Sequence, residues 1–246
     1  MSGVPATANI PRPPLHRLIA VEWRKMLDTR ASAWLLGITA FAVVAIAIAQ
    51  GATASGSDAE SGAIFQTACG IGSILMPILA ILLVTSEWSQ RAGLITFALV
   101  PDRPRVIAAK YGATLLLVAA SVVVMLLLAL VCGGGLGEGT DITGTEIGQA
   151  SLYLLMNVSI GFALGLLFMN SPLAIVLMFA APIVLSLIGA ISESINDVTI
   201  WLDQSALPDL ISTGSVDWDK VAVTALVWIA LPVVAGLVRL RQSDID

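Results

Sequence analysis

Hydrophobic positions in this chain come in long unbroken runs, not in the alternation of a half-buried strand or the narrow stripe of a surface helix. Six runs, at about 33–50, 63–85, 111–131, 152–169, 173–191 and 221–238, contain no Asp, Glu, Lys or Arg. At about 1.5 Å of rise per helical residue, each is long enough to cross a hydrocarbon core of about 30 Å. One charge at the bilayer centre costs about 2.5 to 3.5 kcal/mol on insertion scales, so six charge-free runs predict six transmembrane helices. The expected fold class is an all-α polytopic membrane protein, with residues 15–246 forming a single transmembrane domain.

The polar stretches between the runs have patterns of their own. Residues 1–14, MSGVPATANIPRPP, are proline-rich and poor in bulky apolar side chains, which predicts a flexible tail. Over 15–30 the apolar residues Leu15, Leu18, Ile19, Trp23, Met26 and Leu27 follow the helical period, with Arg17, Arg24 and Lys25 opposite. This predicts an amphipathic helix lying along the inner interface, where Glu22, Trp23, Lys25 and Arg30 meet headgroups and water; the competing expectation is a helix packed on a soluble partner. Only Asn170–Pro172 separate the fourth and fifth runs, so those helices form an antiparallel pair with a tight turn. Before the sixth run, Ile200, Trp201, Leu207, Leu210 and Ile211 are too apolar for a free loop and predict short helices resting in the outer interface, anchored by Trp201 and Trp218.

Composition agrees: of 246 residues 57% are hydrophobic and only 12% charged, far from a soluble domain. The net charge of −5 hides a segregation that sets orientation. Arg12, Arg17, Arg24, Lys25 and Arg30 precede the first run, Arg91, Arg103, Arg105 and Lys110 lie between the second and third, and Arg239 and Arg241 follow the sixth. Lys220 alone lies elsewhere, among loops that otherwise carry only Asp and Glu. By the positive-inside rule both termini and the loop between the second and third spans are cytoplasmic, in a multi-pass protein of the plasma (inner) membrane. A cleaved signal peptide ending at the small residues 47–49 is disfavoured by the long organised stretch ahead of the first run.

Catalytic chemistry finds no foothold. The single histidine, His16, excludes an HExxH site or a His/Cys metal cluster, and no catalytic, cofactor-binding or metal-ligating set is expected in this chain. The glycines at 133–137 lack the Lys-Ser/Thr ending of a phosphate loop. Cys69 lies about 9 Å deeper than Cys132 by helical rise, beyond the roughly 7 Å between bridged Cα atoms. Within the spans the polar groups are uncharged, and Gln66, Ser73 and Asn157 are the candidates to line a path. Gly161 and Gly165, four apart, suit close helix packing. No ionisable group is visible at membrane depth to hold a driving ion.

The segment 86–110, SEWSQRAGLITFALVPDRPRVIAAK, is a polar island. Trp88, Leu94, Ile95, Phe97, Ala98 and Leu99 suffice for a short half-apolar helix, stopped by Pro101 and Pro104 and rimmed by Arg91, Arg103 and Arg105. Such a helix either docks a soluble partner or lies on the membrane. Glu87, Arg91, Gly93, Leu94, Thr96, Pro101, Arg103 and Lys110 together resemble the inner loop of ATP-binding-cassette type-2 permeases, the membrane subunits of bacterial exporters. LIAVEWRKMLDTRASAWLL resembles that family's N-terminal amphipathic helix in Glu22, Lys25, Thr29 and Arg30, and GFALGLLFMNSPLAI resembles its fourth helix and following turn. The resemblance implies a coupling helix at residues 86–105, with Phe97 and Arg105 in the contact, seated on a separate ATPase subunit that binds ATP and Mg. It also implies a second permease subunit, identical or not, with the second and fifth helices lining the path. Nothing calls for a nucleic acid. The alternatives are a passive channel or ion-coupled transporter, and a non-transport membrane scaffold or sensor.

Overall fold

The computed structural model describes residues 13–53, 61–89, 103–133, 142–212 and 215–242. These form helices α1 (Leu15–Asp28), α2 (Arg30–Thr53), α3 (Ser61–Ser89), α4 (Arg103–Cys132), α5 (Gly144–Phe168), α6 (Ser171–Gly189) and α7 (Glu193–Leu202). A 3₁₀ turn (Pro208–Ile211) leads to α8 (Trp218–Ala225), a π-helical turn (Leu226–Ala230) and α9 (Leu231–Gln242). Five of these helices, α2 to α6, and the continuous run Trp218–Leu240 are long and apolar enough to cross a membrane. The protein is a multi-pass helical membrane protein with no strand among the described residues.

Helices outrun the apolar stretches that mark them, because hydropathy registers hydrocarbon thickness and caps register helix ends. Thr143 starts α5 through a capping box: its hydroxyl accepts the Glu146 N–H, and the Glu146 carboxylate accepts the Thr143 N–H at 2.8 Å. Thr29 is the single non-helical residue between α1 and α2; its hydroxyl accepts the Ser32 N–H and its carbonyl accepts the Ala33 N–H. The polar island contracts likewise. Ser86–Ser89 complete α3, and Arg103–Lys110 begin α4, with Pro104 in the first turn, where its missing N–H costs nothing. Pro104 thus opens α4, and the short helix expected ahead of it lies outside the described residues.

A central pair organises the bundle. In the α3 and α5 spans 61% and 67% of residues are buried, against 17–22% in the other four, so α3 and α5 form the core and the rest surround it. Small residues set their separation. A Cβ on Gly161 would lie 2.6 Å from the Pro77 carbonyl oxygen, and one on Gly165 3.2 Å from Ile81 Cα. Gly236 of α9 meets Leu166 of α5 as closely. The turn to α6 is made by Met169 in the left-handed region (φ 52°), which donates to the Gly165 carbonyl, and by Asn170, whose side chain caps α6 at Leu173 N–H. Large apolar side chains point outward instead, among them Trp34, Phe41, Val123, Ile183, Leu187 and Val234. Water would not tolerate so wide an apolar surface on a folded monomer, whereas acyl chains do.

The segment before α8 does not simply rest on the surface. α7 presents Ile195, Val198 and Trp201 outward, but Ala206, Leu207 and Leu210 are buried among α5, α6 and the last span. The Trp228 indole N–H, in the π-helical turn, donates 2.7 Å to the Leu202 carbonyl at the end of α7. Trp218 is exposed, and it is Trp228 that pins the connection.

Candidate functional site

At the end of the bundle covered by α1, two charges are withdrawn from solvent. Glu22 of α1 is 4% exposed and Lys110 of α4 is 0% exposed. The Lys110 ammonium donates to Glu22 Oε2 at 2.8 Å and to the Leu83 carbonyl of α3 at 2.9 Å, while Lys25 donates to Glu22 Oε1 at 2.7 Å. Three helices thus meet at one ammonium. Burial works against the Glu22 carboxylate, but the charge of Lys110 and the hydrogen bonds from Lys110 and Lys25 outweigh it, and the carboxyl titrates below its ordinary 4.5.

Packing supports the same joint. Ile19, Trp23 and Met26 of α1 pack with Leu79 and Leu83 of α3 and Ala113 and Leu117 of α4. Gly112 lets α1 approach, since a Cβ there would lie 2.8 Å from Ile19 Cδ1. Arg105 donates to the Pro13 carbonyl at 3.0 Å, tying the chain ahead of α1 to the first turns of α4. Thr85 of α3 and Ser171 of α6 share a hydrogen bond at 2.6 Å, and Arg239 of α9 donates to the Leu167 carbonyl at 2.8 Å, closing the same end of the bundle.

Several sequence-based expectations change here. Lys110, counted with the loop cations, is a buried ligand of Glu22. Glu22, expected in the interface among headgroups, faces the bundle; Trp23 is half-buried, and Lys25 and Arg30 are exposed. Arg91, Gly93, Leu94, Thr96, Phe97 and Pro101 lie outside the described residues. Glu87 and Arg103 fall within α3 and α4, but their side chains lie outside the description as well. Sequence reading missed the clamp, although a signal was there: Glu22 sits three residues after Ile19 and four before Met26, in the middle of the apolar face.

A second feature lies toward the opposite end. A cleft of about 490 Å3 opens between α5, α6 and the segment from Asp203 to Pro208. Asn157 and Tyr153 line it; the Asn157 amide donates to the Tyr153 carbonyl at 2.9 Å. Ser73 of α3 donates to the Gly70 carbonyl and its hydroxyl lies 3.0 Å from the Tyr153 hydroxyl behind the wall. Gln66 does not line the cleft. Gly161 and Gly165 belong to the α3–α5 contact.

No family model matches the chain, and no curated protein matches it.

Proposed function

We propose that this chain is the membrane subunit of an ATP-driven exporter. It pairs with a second permease copy and couples to a separate ATPase subunit, which holds ATP and Mg, through residues 86–105. In this reading the chain lies in the plasma (inner) membrane with both termini and α1 on the cytoplasmic side, the orientation that the positive-inside rule favours for its basic residues. The observation that carries the proposal is the clamp of Glu22, Lys110 and the Leu83 carbonyl. It joins α1 to the two helices that bound residues 90–102, so a push on that segment moves α1, α3 and α4 together. Shifting a two-state equilibrium from 1:99 to 99:1 takes about 5.5 kcal/mol of differential binding, and such a bias crosses a joint only when its parts move as one body. The buried pair supplies that stiffness, since separating the charges inside the bundle costs several kcal/mol.

The test is the double substitution Arg91→Glu with Phe97→Ala, which alters the segment without touching a span. The permease is expected to reach the membrane with reduced ATPase co-purification, and residual complexes should hydrolyse ATP without moving cargo. Undiminished partner binding and transport, with loss only of lipid binding by a peptide covering 86–105, would make the segment a membrane-surface helix.

A further inference from the structure

The cleft between α5, α6 and the segment from Asp203 to Pro208 takes no part in the clamp, and its lining has a definite chemistry. Asn157 lies near the middle of α5 and Pro182 in the interior of α6, so the cleft descends from the connection toward mid-depth of the bundle. Ile183, Leu187 and Leu207 make apolar walls, and among the described residues Asp203 is the one carboxylate and no Lys, Arg or His lines the cleft. Asp203 Oδ1 accepts only the Ser205 N–H at 2.9 Å, a bond within its own turn, and the carboxylate has no ion pair among the described residues. The Gln204 side-chain nitrogen, also at this cleft, is shielded from water and has no hydrogen-bond partner among the described residues. An uncompensated carboxylate at the rim of an apolar recess attracts a positive charge, and the attraction strengthens as water is displaced. A bare divalent ion suits the site poorly, because a single carboxylate supplies little of the negative charge that the oxygen shell of such an ion draws on.

We propose that this cleft binds an amphiphilic organic cation, its charge beside Asp203 and its apolar body against Ile183, Leu187 and Leu207. Its volume lies within the range of sites for drug-sized molecules, about 300–1,000 Å3. That such a cation is cargo rests on the exporter reading; that it binds does not.

The experiment uses the full chain in nanodiscs of neutral lipid, with tetraphenylphosphonium and its shape-matched anion tetraphenylborate as probes. Saturable phosphonium binding, with borate about tenfold weaker or worse, is expected. Asp203→Asn keeps an acceptor for the Ser205 N–H and hence the turn, and should weaken phosphonium about tenfold while leaving borate unchanged or tighter. Ser186→Trp fills the cleft and should weaken both ions, whereas Asp209→Asn, outside the cleft, should alter neither. Absence of saturable phosphonium binding, or binding indifferent to both Asp203→Asn and Ser186→Trp, overturns the site. Asp203-dependent binding without ATP-driven movement of phosphonium in the assembled complex would overturn the exporter reading and keep the site. ATP-driven movement of another cargo with no phosphonium binding would do the reverse.

Discussion

Lys110 shows how much one side chain decides at the scale of residues. An ammonium without solvent is tolerable while polar partners such as Glu22 and the Leu83 carbonyl face it, and removing Lys110 leaves the buried Glu22 carboxylate short of a partner. Lys110→Met is expected to lower stability by about 3 to 5 kcal/mol, while Lys110→Met with Glu22→Met should recover most of the loss; thermal unfolding in detergent, run as a double-mutant cycle, measures the difference. The pH dependence has a fixed sign. A carboxyl whose folded pKa lies below its unfolded value stabilises the fold above the ordinary carboxylate range. For Glu22 that contribution is constant through neutral pH and is lost as the pH falls below 4.5 and through the depressed folded value. Unfolding temperature should therefore fall in acid more steeply for the wild type than for the double variant. The pair was half legible in the sequence. An acid at the centre of an apolar helix face signals a buried partner, but nothing local names a lysine 88 positions away, and Lys110 beside a run of apolar residues reads equally well as a loop cation.

Elements meet where side chains are missing. Gly161 faces backbone of α3 at a distance no Cβ tolerates, Gly165 faces it at a tight but yielding one, and Gly37 of α2 faces open space. Alanine at the three positions should therefore give a graded series: a large loss at Gly161, a smaller one at Gly165, and at Gly37 no loss or a gain of up to about 1 kcal/mol from helix propensity. Retained dispersity on gel filtration and unfolding temperature read the order, and a loss at Gly37 equal to that at Gly161 would mean that helix flexibility, not packing, governs all three. The spacing of the two glycines was visible in the sequence, and so were the six spans, because both follow from the bilayer and the helical repeat. Helix ends were less visible. Ser86–Ser89 and Arg103–Lys110 carry charge and lie outside the charge-free runs, yet they belong to α3 and α4, since a helix need not end where its apolar run does. Nor did pattern alone bring Ala206, Leu207 and Leu210 inside the bundle. Their apolar character was plain, but their burial depends on α7 turning back against Gly189 and on the bond from Trp228 to Leu202.

At the scale of the whole molecule, the alternation of helices forces His16, Asn170 and Gln242 toward one end and Thr145 and Ser215 toward the other. The clamp, the bond between Thr85 and Ser171 and the bond from Arg239 to Leu167 hold the first end together. In the exporter reading the α1 end faces the cytoplasm, as the positive-inside rule favours: of the twelve Lys and Arg of the sequence, five precede the first span, four lie between the second and third and two follow the sixth. Burial of Lys110 removes one cation from the exposed set without moving it to the other end, so the bias survives the correction. Cysteines placed singly at Thr145 and Ser215, in a chain whose Cys69 and Cys132 are replaced, should react with an impermeant maleimide added to sealed cells, and cysteines at His16 and Gln242 only after the membrane is opened. Reaction at His16 and Gln242 in sealed cells, with Thr145 and Ser215 protected, would invert the protein. The clamp and residues 86–105 would then face away from any cytoplasmic ATPase, and the exporter reading would fall with the orientation. The binding cleft would not, because the attraction between Asp203 and a cation is indifferent to the side of the membrane on which the cleft opens.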